Sequence, residues 1–191
     1  MLFVQDHANR RGKRMAQTVA KETPAEMDES RGGFKVGDNV VYPTQGAGRI
    51  VDEVERVIGG KTMQFFELEL LKGSTKVLIP KGQETRVGLR LITDSGRVPE
   101  LLELLRGPTL DLPEGWTPRH RQETTILSQG DIFQIAQLTG TLYRRDIERA
   151  LSATERRVLD DARHMVVTEI AMALGVSLEE AGETIERTLE D

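Results

Sequence analysis

The feature that most restricts this chain is a change of hydrophobic period near residue 93. Between residues 34 and 92 the apolar residues fall into five short runs, each closed by glycine, proline or a small polar turn. Val40-Val41-Tyr42 stops at Pro43, and Gln45-Gly46-Ala47-Gly48 reads as a turn or bulge. Residues 49–58 alternate imperfectly, as a bent strand does, and Gly59-Gly60 is a hairpin signal. Residues 63–71 alternate well, with Phe66, Leu68 and Leu70 on one face and Glu67 and Glu69 on the other. Gly73-Ser74 turns the chain into a strand at 75–79, which Pro80 closes, and residues 87–92 supply a last short one. Five short strands with tight turns and no helical pattern predict a small antiparallel β-barrel, SH3-like or Tudor-like.

From residue 94 the pattern is helical. Asp94 or Ser95 opens a helix whose Val98, Leu101, Leu102 and Leu105 share a face. Residues 108–113 read as a linker. Thr117 is the expected N-cap of the next helix and Pro118 its first helical residue. That helix ends near Gly130 and gives Ile126 and Leu127 to the core. Asp131 caps a longer one with Ile132, Ile135, Ala136, Leu138 and Leu142 inward. Ser152-Ala153-Thr154-Glu155 and Ser177-Leu178-Glu179-Glu180 are capping boxes. Between them Val158, Leu159, Ala162, Met165, Val166, Ile170 and Ala173 form a stripe that Gly175 ends, and Ala181, Ile185 and Leu189 follow at spacing four. The fold class is therefore α+β in two domains: a β-barrel over 34–92 and an all-α bundle over 93–191, preceded by a disordered or weakly ordered leader at 1–33. In that leader Arg10-Arg11-Lys13-Arg14 reads as a solvated tail, and Met27 would serve equally well as the translation start.

Composition narrows the function classes. The absence of cysteine excludes disulfides and thiolate metal sites and makes a reducing compartment, the cytoplasm, the default. No apolar run reaches the roughly 18 residues of a membrane span, and the opening stretch lacks the apolar core of a secretory signal. The net charge of −5 speaks against nucleic acid until it is divided by segment. Residues 34–92 carry nine Lys/Arg and seven Asp/Glu, whereas 164–191 carry one and seven, so the acid is concentrated in the final helices. A locally basic face near residue 116 remains compatible with that distribution.

Enzyme chemistry finds no constellation. His7, His120 and His164 have no partner at metal-ligand spacing and read as surface or cap residues. Gly60-Lys61-Thr62 resembles the end of a phosphate-binding loop, yet Glu55 stands where that motif needs its first glycine and a strand follows where a helix should. Gly46-Ala47-Gly48 lacks the third glycine and the helix of a dinucleotide fingerprint. No cofactor and no metal are expected.

Binding has better support. The single tryptophan lies in Gly115-Trp116-Thr117-Pro118-Arg119-His120-Arg121. A large ring at the tip of a basic helix end suits a wedge pressed against nucleic acid whose phosphates the arginines hold. The competing reading is an ordinary packing tryptophan. On the barrel, Arg49, Arg56 and Lys61 surround the long hairpin and would give an exposed edge a charge complement for a partner's strand, with a merely solvated face as the alternative.

Phe34-Lys35-Val36-Gly37-Asp38-Asn39-Val40-Val41-Tyr42-Pro43, then Gly46-Ala47-Gly48 and Val87-Gly88-Leu89-Arg90, resemble the RNA-polymerase-interacting domain of the CarD family, shared with transcription-repair coupling factors. The stretch around Trp116, with Leu142-Tyr143-Arg144-Arg145-Asp146, Leu151-Ser152 and Glu155-Arg156, resembles the helical DNA-binding domain of CarD/CdnL regulators. The resemblance implies a bacterial global transcription regulator, monomeric when free and nucleoid-associated through polymerase. Its barrel would bind the RNA polymerase β subunit, and its helical domain would stabilise the promoter open complex at the upstream edge of the bubble. The family's minor-groove tryptophan matches Trp116, and a basic residue beyond it matches Arg121. A second basic position falls on Pro118, with Arg119 as its substitute. Arg56 matches a polymerase-contacting basic position, and another such position falls on Leu78. The expected DNA contacts are thus Trp116, Arg119, Arg121, Arg144 and Arg145, and the expected polymerase contacts Arg49, Arg56 and Lys61. The alternative from another class is an adaptor that uses the barrel edge and never touches DNA.

Overall fold

The computed structural model describes residues 33–190 apart from 44, 72 and 74; the expectations for the leader lie outside the described residues. The strands are β1 (Asn39–Tyr42), β2 (Gly46–Ile58), β3 (Lys61–Leu70), β4 (Lys76–Pro80) and β5 (Arg90–Leu91). They form one antiparallel sheet in the order β4-β3-β2-β1-β5, a meander whose last strand returns to the far side of the first. Gly59 and Gly60, with φ of 59° and 77°, make the two-residue turn of the long β2–β3 hairpin, since both central residues of that turn need positive φ. The expected strand at 87–92 shrinks to β5. Residues 83–88 turn instead, with the Val87 N–H donating to the Gln83 carbonyl and Gly88 lying against the Pro43 ring.

The helices are α1 (Val98–Arg106), α2 (Trp116–Gln129), α3 (Ile132–Glu148), α4 (Ala153–Leu174) and α5 (Leu178–Glu190), with a 3-10 turn at Ser95–Arg97 leading into α1. Asp94 accepts from the Gly96 N–H ahead of that turn, and Asp131 accepts from the Phe133 N–H at the start of α3. Both capping boxes form: Ser152 with Glu155, and Ser177 with Glu180. Gly130 and Gly175 close α2 and α4 in the left-handed conformation. Every residue expected on the inner stripe of α3 is buried, as are six of the seven on α4, Ala173 being half-buried.

Two apolar cores result. Val40, Ile50, Phe66, Leu68, Ile79 and Leu89 fill the sheet's inner face. The larger core joins α1 to α5 through Leu101, Leu105, Ile135, Leu138, Leu142, Val166, Ile170 and Ile185. Phe34–Asp191 nevertheless pack as one unit. At the seam the Arg90 guanidinium grips Glu169 of α4 with two bonds of 2.7 and 2.8 Å and also donates to the Gly130 carbonyl. Glu169, 1% exposed, further accepts from the Thr93 N–H. Among the described residues no helix is long and apolar enough to cross a membrane.

Candidate nucleic-acid interface

Helix α2 starts two residues earlier than Thr117 and Pro118 suggest. Gly115 is the N-cap, with no side-chain cap bond, and Trp116 is the first helical residue. Pro118 therefore sits at the third helical position, where its missing N–H is still not needed. Its ring reaches back over Gly115, where a Cβ would meet Pro118 Cγ at 3.1 Å. The start is fixed from below by Arg119, whose Nη1 donates to the carbonyls of Pro113 and Glu114 at 3.2 and 2.7 Å.

Arg119, expected as a DNA contact, is thus engaged inside the fold. The residue is 3% exposed, because its Nε and Nη2 reach Glu155 of α4 at 3.0 and 2.9 Å. Arg119 positions the loop before Trp116 and has no face left for a phosphate. Glu123, one helical turn on, is completely buried, with Oε1 3.8 Å from Arg119. Burial pushes its carboxyl above the usual range, helped by the charge of Glu155 and opposed by Arg119. Glu155 goes the other way: burial alone would raise it, yet hydrogen bonds from Ser152 and the Arg119 guanidinium carry it below the usual range.

Arg144, also expected as a DNA contact, is likewise engaged inside the fold. Its guanidinium donates to the carbonyls of Leu105 and Gly107 at 2.8 and 2.9 Å, closing the end of α1. A cation there satisfies orphan carbonyls and opposes the negative end of the helix dipole. The contact is possible because residue 140 is glycine; a Cβ there would lie 2.1 Å from the Leu105 oxygen. Arg145 points toward Glu155, 3.6 Å away, and keeps part of its side chain in solvent. Asp146 accepts from Arg156 and from the Leu151 N–H. The Leu142–Asp146 and Leu151–Arg156 motifs thus tie the end of α3 to the start of α4.

What remains outward is Trp116, 51% exposed, with Thr117, Pro118 and Arg121 around it. The indole is stacked on His120, ring centroids 5.5 Å apart and planes 15° from parallel. Arg121 also lines an open groove of about 590 Å³ between α2 and α3, beside Gln122, Gln134 and Gln137. Sequence reasoning missed His120 as the platform for the ring and Glu123 and Glu155 as the buried floor. The spacing of Arg119 and Glu123, four apart on a helix, was the available signal.

On the sheet, Arg49 stands opposite Glu69, and Arg56 opposite Met63. Seven residues separate the two arginines, which would put them on opposite faces of a regular strand. The bulge between Ile50 and Asp52 absorbs one residue, so both share the outer face with Lys61. Arg49 is nonetheless roughly 20 Å along the strand from Arg56 at 3.3 Å per residue, and it donates to Asn39 Oδ1. The same face carries Ile58, Met63 and Leu78, each at least a third exposed. Among the described residues no group of three or more His, Asp or Glu could hold a metal ion.

Comparison with known proteins follows the same division. A family model for the CarD-like/TRCF RID domain matches residues 34–92, and one for the CarD C-terminal domain matches residues 100–186. The candidate transcription factor YdeB of Bacillus subtilis (strain 168) is 26% identical over 144 residues, which cover 75% of this chain and 94% of that protein. The solution NMR structure of the 72-residue N-terminal domain of Myxococcus xanthus CarD is 30% identical over 30% of this chain and 76% of its own, with a TM-score of 0.26. Two dissimilar modules match in order and together span most of the residues, and the chain belongs to the CarD/CdnL family of transcription regulators.

Proposed function

We propose that this regulator docks on the β subunit of RNA polymerase through the outer face of its sheet and stabilises the open promoter complex with Trp116. The indole would wedge into the minor groove at the upstream edge of the bubble, where partly unstacked base steps accept an apolar ring most cheaply. The observation that carries this reading is the exposure of Trp116 at a helix tip, in a chain whose other large apolar side chains mostly fill two cores. Arg121 beside it supplies a phosphate contact, and the glutamine amides of the adjoining groove are further donors for backbone oxygens.

The energetics favour a tethered reader. With Arg119 and Arg144 engaged internally, two of the five expected DNA contacts are not free to hold phosphates, so DNA affinity alone is weak and salt-sensitive. Docking on polymerase raises the local concentration of the wedge and makes weak contacts effective. A preference of ~1.4 kcal/mol for the melted over the closed state shifts that equilibrium about tenfold. Permanganate footprinting of a promoter with polymerase tests the reading. Trp116→Ala is expected to keep polymerase binding while losing the extra thymine reactivity in the bubble. Equal reactivity with the variant and the parent would remove the wedge.

The internal engagement of Arg119 and Arg144 also favours the second reading, an adaptor that binds polymerase or another partner and leaves DNA alone. Retention of the intact chain's effect on the bubble at salt concentrations that abolish its DNA binding would select that alternative.

A further inference from the structure

Behind the platform that carries Trp116 lies a carboxylate that no hydrogen bond serves. Glu123 is 0% exposed and neither of its oxygens has a hydrogen-bond partner among the described residues. Nδ1 of His120 is likewise sealed from solvent and unpartnered. The two face each other, Nδ1 to Oε2, at 3.6 Å. Buried polar atoms in folded proteins are nearly always paired, and an isolated buried carboxylate is costly. A proton between these two atoms answers both needs.

We propose that His120 is a positioning residue for Trp116, and that it acts as a proton-holding couple with the buried Glu123. With one proton held between Nδ1 and Oε2, the imidazole is drawn onto the carboxylate and presents its outer face to the indole. With the proton on the nitrogen the couple is an imidazolium facing a carboxylate, neutral overall, and a hydrogen bond closes the gap. When that proton leaves to solvent, a buried anion remains, the imidazole loses its anchor, and the indole loses a fixed support.

The charged groups around the couple make the proton necessary. On the same helix, Arg119 lies 3.8 Å from Glu123, but its donors are spent on Glu155 and on the carbonyls of Pro113 and Glu114. From α4, Glu155 adds a second buried carboxylate. From α3, Arg145 approaches Glu155 and not Glu123, and Asp146 is taken by Arg156. An ionised Glu123 would therefore share one fully engaged guanidinium with Glu155. The raised carboxyl of Glu123 agrees with this geometry.

The consequence for DNA rests on the reading of Trp116 as the wedge, but the couple itself is testable without DNA. Trp116 is the only tryptophan, so emission of the full-length protein reports on this one stack. An imidazolium quenches a stacked indole, whereas a neutral imidazole does so weakly. Titration from about pH 8.5 to about pH 5, the window in which histidines gain a proton, is expected to lower the emission in one transition. His120→Phe keeps an aromatic platform at a site open enough to accept it, and should lose the transition. Glu123→Gln keeps the shape and removes the counter-charge, and should move the transition to lower pH. Flat emission in the parent, a transition that survives His120→Phe, or one that Glu123→Gln leaves in place would each overturn the proposal. A failure of Trp116→Ala to affect promoter bubbles would remove the wedge and leave this titration unchanged, so the two ideas fail separately.

Discussion

Arg119 shows how far one side chain's role depends on what lies under it. A basic residue three positions after a lone tryptophan reads as a phosphate contact, and only the acidic Glu123 four residues on sets it apart from Arg121 in the local sequence. The difference comes from α4, which brings Glu155 to 2.9 Å from Arg119. Breaking a buried pair strands the remaining charge and costs about 3–5 kcal/mol. Arg119→Met should therefore lower stability by an amount in that range at neutral pH. The loss should shrink on acidification. Glu123 has a folded pKa above its unfolded value, so its contribution is present below the unfolded pKa and is lost as pH rises through the folded one. Removing Arg119 takes away the cation that opposes that rise and so enlarges the penalty toward higher pH. Urea unfolding midpoints for parent and variant at about pH 5 and about pH 8, whose displacement at constant slope reads stability, check this. A gap that is constant or wider at the lower pH would show that Glu123 is not the group responsible.

The β2–β3 hairpin argues the same point for an element. Its existence was plain in Gly59-Gly60 and in the alternation of Phe66, Leu68 and Leu70, because turn chemistry and a half-buried face are both written locally. Which face Arg49 shares was not, since it depends on a bulge at Val51 that strict alternation cannot anticipate. The helices divide in the same way. Caps and inner stripes are legible from spacing, whereas α2 starts two residues before the position that Thr117 and Pro118 indicate, because Arg119, held by Glu155 of α4, fixes the preceding loop. The arginines of the Leu142–Asp146 motif reach toward α1 and α4, and that too depends on elements distant in sequence. With Arg49 displaced toward β1, the proposed polymerase surface narrows to Arg56, Lys61 and the apolar Ile58, Met63 and Leu78. Arg56→Glu should then weaken capture of the β subunit without unfolding the sheet, because Arg56 is exposed and, among the described residues, its guanidinium bonds to the neighbouring Glu55 carbonyl alone. A pull-down with unchanged β-subunit recovery would move the interface elsewhere on the sheet.

How the two modules act together depends on the seam between them. A wedge tethered to polymerase is useful only if the tether holds it at a fixed position, since effective concentration falls when a linker lets the second site wander. Here the sheet and the helices have separate cores, and the polar connection between them is concentrated at Arg90, Glu169, Thr93 and the Gly130 carbonyl. Gly130 also ends α2, so the clasp runs from the sheet to the helix that carries Trp116. Arg90→Ala leaves Glu169 buried without its cation, which places the cost at about 3 kcal/mol, the lower end of the range for a broken buried pair because Arg90 is partly solvated. If the modules were independent, this variant would lose stability and still stabilise promoter bubbles in proportion to the folded fraction. The rigid-clasp account expects more. At a temperature where circular dichroism shows both modules folded, Arg90→Ala should bind polymerase as the parent does yet lose most of the bubble stabilisation, matching Trp116→Ala. Double substitution with Glu169→Gln, which removes the stranded charge, should recover stability without recovering the effect on the bubble, because the neutral amide has no guanidinium to hold.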